Sequence, residues 1–257
     1  MTNALLELKQ VSRQFGGLAA LSNVDMRVEQ GQIVGLIGPN GAGKTTTINN
    51  ITGLDHPTSG EIYFDNQPIH NAQPHHITHM GIARTYQNIR LFGDMTAYEN
   101  LLIGQHKQGK ATLLESILML PRHHAQEKLL NAQATQLLAR FNLADVAQVR
   151  ADNLPYGDQR RLEIARALAT DPKLILLDEP TAGMNPTETK AVGEQILQLR
   201  ADGITVLVIE HDMSLIHQVC DEVYVLNFGQ MIANGTPDAI RQNPLVIEAY
   251  LGTDEEA

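Results

Sequence analysis

Eight consecutive residues, Gly38-Pro39-Asn40-Gly41-Ala42-Gly43-Lys44-Thr45, follow the spacing G-x-x-x-x-G-K-[ST]. That spacing suits a polyphosphate. Its glycines let successive backbone N–H groups turn inward around phosphate oxygens. A helix opening at Lys44 adds unpaired N–H groups and a favourable dipole. Lys44 is then placed to reach the β and γ phosphates, and the Thr45 hydroxyl to ligate Mg²⁺. A second group, Asp178-Glu179-Pro180, ends the apolar run Leu174-Ile175-Leu176-Leu177. Asp178 is expected to hold Mg²⁺ through water, and Glu179 to orient or polarise the attacking water. Pro180 stops the strand and gives the pair a fixed exit direction.

Both groups need elements that aim them. Gln32 to Ile37 reads as a β-branched, mostly apolar strand feeding Gly38, with a helix from Lys44 to about Thr52. Leu5 to Val11, Leu21 to Val28 and Gly60 to Phe64 read as further strands, the last running into a turn at Asp65-Asn66. Strand-like runs return at Leu174 to Leu177 and Ile204 to Ile209, each after a helical segment, Arg160 to Ala169 and Glu188 to Arg200. Glu222 to Asn227 and Gln230 to Ala233 look like a hairpin turning at Gly229, and helices fit Asp238 to Gln242 and Leu245 to Leu251. Between these β-rich stretches, Asn88 to Arg150 is helical in pattern. Within it Gln126 to Phe141 presents Leu129, Leu130, Leu137 and Leu138 as one face, and Gly104 to Gly109 and Pro121 to His124 read as loops. Alternating α/β elements with a helical insert predict a parallel-sheet nucleotide-binding core plus a helical subdomain.

Composition narrows the function classes. A chain of 257 residues fits one large core with an insert. A hydrophobic content of 43% excludes a disordered chain, and no apolar run reaches the roughly 18 residues of a membrane span. The net charge of −10 disfavours a broad nucleic-acid-binding face, yet leaves a local backbone nest for phosphate untouched. The single cysteine, Cys220, allows no internal disulfide and fits a reducing compartment. The start, MTNALLELKQ, lacks the basic region and apolar run of a secretion signal.

Further motifs sharpen the reading. Leu154-Pro155-Tyr156-Gly157-Asp158-Gln159-Arg160-Arg161 stands just before a helix, upstream of Asp178. It resembles the signature motif of ABC-transporter ATPases. Gln87, in Thr85-Tyr86-Gln87-Asn88-Ile89-Arg90-Leu91-Phe92, matches that family's Q-loop, and His211 its switch histidine. The order of motifs is complete over nearly the whole chain, and the N-K-x-D motif of a GTPase is absent. Within the family, GPNGAGKTT (which includes Thr46), GIARTYQNIRLF and the ending GTPDAIRQNPLVIEAYLG resemble the ATP-binding subunits of branched-chain amino acid importers. Lipopolysaccharide-export and urea or amide-import ATPases share much of this layout, as would a weakly active regulatory ABC ATPase.

The resemblance implies a P-loop, RecA-like core with an antiparallel β subdomain and an inserted helical subdomain. It divides one ABC domain into core residues 1–87, a helical part 88–155, a second core part 156–235 and a helical tail 236–257. It implies ATP and Mg²⁺ as cofactors, with Phe15 stacking on adenine and Gly38 through Thr46 binding phosphate. Lys44, Gln87, Glu179 and His211 are the implied catalytic set, and Thr45, Gln87 and Asp178 the metal set. Leu154 to Asp158 would complete the ATP site of a partner subunit. The implied partners are a second ABC ATPase (a heterodimer, or a homodimer), two transmembrane permeases and, indirectly, an extracytoplasmic substrate-binding protein. No nucleic acid is implied. The expected location is the cytoplasmic side of the inner membrane.

Two departures bear on activity. The usual signature L-S-G-G-Q becomes Leu154-Pro155-Tyr156-Gly157-Asp158. Pro155 has neither hydroxyl nor backbone N–H, so it cannot make the bond to the γ-phosphate that the family's serine makes. Asp158 brings a negative charge towards the partner's nucleotide unless Arg160 or Arg161 offsets it. The site completed by this loop is therefore expected to be weaker than the chain's own. The second departure is Asn185-Pro186, where the family usually has Asp; Asn keeps hydrogen bonding without the charge. His75, His76, His79, His123 and His124 lack the acidic or Cys neighbours of a metal site, and His75 and His79 lie in a polar connector. Cys220 reads as a buried small residue, and Arg160, Arg161 and Arg166 as neutralising nearby acids or facing a partner's nucleotide.

Overall fold

The computed structural model describes residues 4–105 and 121–251. The chain divides into two compact units, one from the residues up to Arg84 together with those from Lys173 onward, the other from Thr85–Pro172.

The first unit holds two sheets. β1 (Ala4–Phe15) and β2 (Leu18–Glu29) form a long hairpin, and β4 (Ser59–Phe64) and β5 (Gln67–Pro68) complete an antiparallel sheet in the order β2-β1-β4-β5. The weak alternation of β1 has a physical cause. A register shift between Leu8 and Val11, with Gln10 at φ 49°, lets these two residues face the same core although they are three apart. The second sheet has the order β10-β9-β3-β8-β7-β6. Its strands are β3 (Ile33–Ile37), β6 (Ile82–Arg84), β7 (Leu174–Asp178), β8 (Thr205–Ile209), β9 (Glu222–Asn227) and β10 (Gln230–Gly235). All pairings are parallel except β9 with β10. β3, β7 and β8 are buried along their whole length, which is why they read as continuous apolar runs. Their side chains (Val34, Leu36, Leu176, Leu207) join Leu6, Leu8 and Phe64 of the other sheet, with Ile48 and Ile51, in one core. Ile48 and Ile51 come from α1 (Lys44–Ile51).

Where the structure differs from expectation in this unit, caps are the reason. The polar connector holding His75 and His79 is a helix, α2 (Pro74–Met80). Pro74 starts it, Gly81 at φ 113° ends it, and Ile77 is its one buried residue, too little for a visible period. α6 (Pro186–Ala201) starts before Glu188 because the Asn185 carboxamide accepts from the N–H groups of Thr187 and Glu188, while the Glu188 carboxylate accepts from Asn185 N. α7 (Met213–Val219) follows β8. The final helices, α8 (Pro237–Arg241) and α9 (Pro244–Leu251), each start at a proline one residue ahead of expectation.

The second unit contains α3 (Ala97–Gly104), α4 (Pro121–Arg140) and α5 (Tyr156–Leu168), and two short 3₁₀ turns, at Ala144–Val146 and Ala151–Asn153, join α4 to α5. Pro121 to His124 belong to α4 rather than forming a loop. The buried stripe of α4 is Ala134, Leu138 and Phe141 just beyond it, whereas Leu129 is exposed. Gly104, expected in a loop, is the last residue of α3. A Cβ there would lie 2.7 Å from the carbonyl oxygen of Arg166, so the two helices approach closely only because it is glycine. Residues 106–109 of that expected loop lie outside the described residues. α5 starts four residues ahead of Arg160, and the second unit runs on to Pro172, so α5 belongs to that unit, packed on α3 and α4. Among the described residues, no helix is long and apolar enough to cross a membrane.

Cys220 is buried, and a Cβ on Gly35 would lie 3.1 Å from its Sγ. Burial, with the Asp221 charge added, pushes its thiol up to about 12. At pH 8 the folded chain is therefore expected to resist Ellman's reagent, with one thiol released on denaturation. Rapid labelling of the folded chain would contradict the burial.

Candidate functional site: a phosphate loop and two strand-end carboxylates

In the first unit, β3 delivers the chain into Gly38 at the centre of the parallel sheet. The backbone then passes through Gly38 (φ 149°), Gly41 (φ 77°) and Gly43 (φ 106°) before α1 begins at Lys44. Only glycine fits at two of these positions. A Cβ on Gly38 would lie 2.0 Å from the Leu226 carbonyl oxygen, and one on Gly43 would lie 2.8 Å from that of Ala20. The β9–β10 turn and β2 thus wall the loop from outside, and Gly229 N donates to the Ala42 carbonyl. Gly38→Ala is expected to cost about 1–3 kcal/mol, the usual cost of overpacking a filled site. Urea unfolding reads this loss, and ATP affinity is expected to fall with it.

No side chain caps α1, and its first turn carries no acid, so its N–H groups face a site suited to an anion. The Lys44 ammonium donates to the carbonyls of Gly38 (2.6 Å) and Pro39 (2.9 Å), arching back over the loop. Burial holds its pKa below the ordinary lysine value, while the charges of Glu179 and Asp178 pull it back up. Asn40, Gly41 and Thr45 are exposed, Thr46 and Lys44 half-buried, and Pro39 and Ala42 buried.

β7 pairs with β8 up to Asp178↔Ile209, so Asp178 reaches the same carboxyl end of the sheet that β3 gives to the loop. Asp178 is 6% exposed. Glu179 has φ 46°, rare for a residue with a side chain, and its N–H donates 2.9 Å to the Ile209 carbonyl. That single backbone turn moves the second carboxylate out of the sheet to a half-buried position. His211 follows β8, its side chain 64% exposed and Nδ1 3.6 Å from Glu210 Oε2.

Phe15 ends β1 opposite Leu18 and is 47% exposed; the Arg13 guanidinium covers one ring face at 4.5 Å. It is therefore no core phenylalanine. It stands on the same hairpin whose Ala20 walls the phosphate loop.

The structure thus brings Phe15, Gly38 to Thr46, Asp178, Glu179 and His211 together in the first unit. Gln87 and Leu154 to Asp158 belong to the second. There, Leu154 is buried while Pro155 and Tyr156 are exposed. Pro155 is the residue just before α5, so Tyr156, Gly157 and Asp158 form its first turn, not a loop ahead of it. Asp158 is paired with Arg161 one turn on, which offsets its charge. Gln87 is exposed, next to Tyr86. The Tyr86 carbonyl accepts from Arg160 Nη1 (2.5 Å), and its N–H donates to Glu163.

Three residues of the first unit escaped the sequence reading. Glu210, 1% exposed, accepts from Thr181 N (3.0 Å) and Oγ1 (2.6 Å) and from His211 N (3.0 Å), fastening the turns after β7 and β8 together. Its signal was present: an acid directly after a buried strand, as Glu179 is after β7. Arg84 contacts both Asp178 and Asn49, but it ends a three-residue strand too short to show a pattern.

The donor set fits a nucleotide with its metal: a loop closed to any Cβ at Gly38, an ammonium over it, a Thr hydroxyl at the helix start and a carboxylate on a neighbouring strand. Residues 21–182 match the ABC transporter family, and residues 230–256 match the family described as branched-chain amino acid ATP-binding cassette transporter. The chain is 48% identical over 254 residues to the high-affinity branched-chain amino acid transport ATP-binding protein LivG of Escherichia coli (strain K12), covering 98% of this chain and 99% of that one. It is 45% identical to the corresponding protein BraF of Pseudomonas aeruginosa, with the same coverage. A crystal structure of a nucleotide-free ATP-binding cassette from an ABC transporter superposes with a TM-score of 0.84 at 35% identity, covering 96% of this chain and 99% of that one. Phosphate loop, strand-end carboxylates, helical unit and whole-length likeness agree, and the chain belongs to the ATP-binding proteins of ABC transporters, in their LivG type.

Proposed function

We propose that this chain hydrolyses ATP to energise the import of branched-chain amino acids, working peripherally at the cytoplasmic face of the inner membrane. The observation that carries the chemistry is Lys44 arched over the Gly38–Thr45 nest, with Asp178 and Glu179 delivered to the same sheet end. The cargo rests on likeness to the relatives named above. Gly38 to Thr46 bind the phosphates through backbone N–H groups, and Lys44 neutralises the β and γ oxygens. Thr45 and Asp178 would hold Mg²⁺, and the ion would supply charge neutralisation to the phosphates. Glu179 accepts the proton of the attacking water, the bond from γ-phosphorus to the β–γ bridging oxygen breaks, and ADP and phosphate result. His211 donates to the γ-phosphate, and Phe15 offers its open ring face to adenine. Leu154 to Asp158 serve the ATP site of a second ABC ATPase subunit. Two permeases supply the membrane spans, and an extracytoplasmic binding protein supplies the amino acid. Because Arg161 offsets Asp158, the expected weakness of that second site rests on the missing hydroxyl of Pro155 alone.

The test is the set of proteins that co-purifies with the tagged chain from detergent-solubilised membranes. Two hydrophobic permeases and a second ATPase, retaining a leucine-, isoleucine- or valine-loaded binding protein, are the expected result. A homodimer with one exporter pair, or a complex that retains a urea-type binding protein, would overturn the cargo.

A further inference from the structure

Arg84 and Asp178 end neighbouring parallel strands. β6 pairs with β7 from Ile82↔Leu174 to Arg84↔Leu176, so Arg84 stands two residues short of Asp178 and its side chain runs along the sheet end to meet it. Arg84 Nη2 donates to Asp178 Oδ2 at 2.9 Å, and Arg84 Nη1 donates to Asn49 Oδ1 at 2.7 Å. The two side chains of the pair are 8% and 9% exposed. Asn49 belongs to α1, the helix whose first turn carries Lys44 and Thr45. One guanidinium therefore ties the metal-side carboxylate to the helix that forms the phosphate nest.

Two physical consequences follow. The fork geometry of arginine orients the carboxylate and occupies one of its two oxygens. The permanent positive charge, buried away from solvent screening, opposes any other cation at the same carboxylate. Mg²⁺ in nucleotide sites is ordinarily held by one or two protein groups together with substrate phosphates. A carboxylate already neutralised by its own arginine is a poor ligand until those phosphates arrive. We propose that Arg84 is the built-in counter-ion of Asp178: it positions the carboxylate and keeps divalent cations off it until nucleotide brings phosphate ligands of its own. Metal and nucleotide then enter as one unit. Arg84 acts through Asp178 and is a positioning residue. The inference rests on the reading of Asp178 as the metal-side carboxylate.

The experiment uses the full chain and Mn²⁺ as probe, counted by equilibrium dialysis as Mn²⁺ retained on the protein side above a protein-free blank, with and without ATP. Nucleotide-free wild type is expected to retain Mn²⁺ far more weakly than the ATP-bound form. Arg84→Gln, which keeps a hydrogen-bond donor without charge, is expected to tighten nucleotide-free Mn²⁺ binding at least about tenfold, while Arg84→Lys, which keeps the charge, stays near wild type. Adding Asp178→Asn to Arg84→Gln is expected to abolish the gain. No gain in a folded Arg84→Gln chain overturns the proposal. So does a wild type that holds Mn²⁺ as tightly without nucleotide as with it, a result that does not depend on the variant folding. Failure of wild type to retain Mn²⁺ even with ATP would instead overturn the nucleotide–metal reading of the site itself.

Discussion

Glu179→Gln is expected to lower the ATP turnover of the assembled complex by about 10²–10⁴-fold, the range for a lost general base. ATP affinity is expected to change little. The substitution is isosteric, and the turn that positions the side chain depends on backbone, namely φ 46° and the N–H bond to Ile209, not on the carboxylate. Lys44 loses one of the two negative charges that raise its pKa but keeps both carbonyl contacts and Asp178. The ATP-bound state should therefore accumulate, which retention of labelled ATP after rapid gel filtration would reveal. The same change made in the partner ATPase tests the missing Pro155 hydroxyl. If the site completed by this chain's signature segment is the weaker one, the partner's change costs less. Equal losses would remove the asymmetry.

Arg160→Met is expected to destabilise the helical unit by about 3–5 kcal/mol, because it strips the buried Glu163 of its hydrogen-bonded cation. Both side chains are 1% exposed and 2.7 Å apart, and between them they hold the backbone around Gln87. Arg160 binds the Tyr86 carbonyl, while Glu163 Oε1 accepts from the N–H groups of Tyr86 (3.3 Å) and Arg90 (3.2 Å). Replacing both partners, Arg160→Met with Glu163→Leu, is expected to recover part of the loss by removing the buried carboxylate as well. Recovery stays partial because three backbone groups would lose their partners. Urea unfolding gives the energies, and amide exchange at residues 86–90 gives the location. If the two single losses simply add in the double variant, the residues do not act as a pair. If exchange at 86–90 is unchanged in Arg160→Met, they do not hold this segment.

The site was legible where one short run of sequence contains both the element and its chemistry. β3 and β7 are unbroken apolar strands, each ending directly on its functional residues, so Gly38 to Thr45 and Asp178-Glu179 were readable. Phe15 was readable as a candidate, but only the structure shows it exposed at a hairpin end. Less legible were contacts that join distant segments. Arg84 meets Asp178 across 94 residues of sequence, and Glu210 meets Thr181 across 29. Nothing local in either stretch marks the pairing. Helix boundaries failed for a different reason. α2 has one buried residue, and α5 begins beside Pro155, where the proline rather than hydrophobic period sets the start. The bulge at Gln10 likewise resets a strand's alternation without any mark in its composition.

The most direct test of the central claim is ATP-dependent uptake of radiolabelled leucine into liposomes containing the purified complex, with the leucine-binding protein and ATP on opposite sides of the membrane. The expected result is leucine accumulation that requires ATP, falls with Glu179→Gln in this chain, and is accompanied by ATPase activity stimulated by leucine-loaded binding protein. A complex that hydrolyses ATP at full rate with Glu179→Gln, or that moves leucine equally well without ATP, would contradict it.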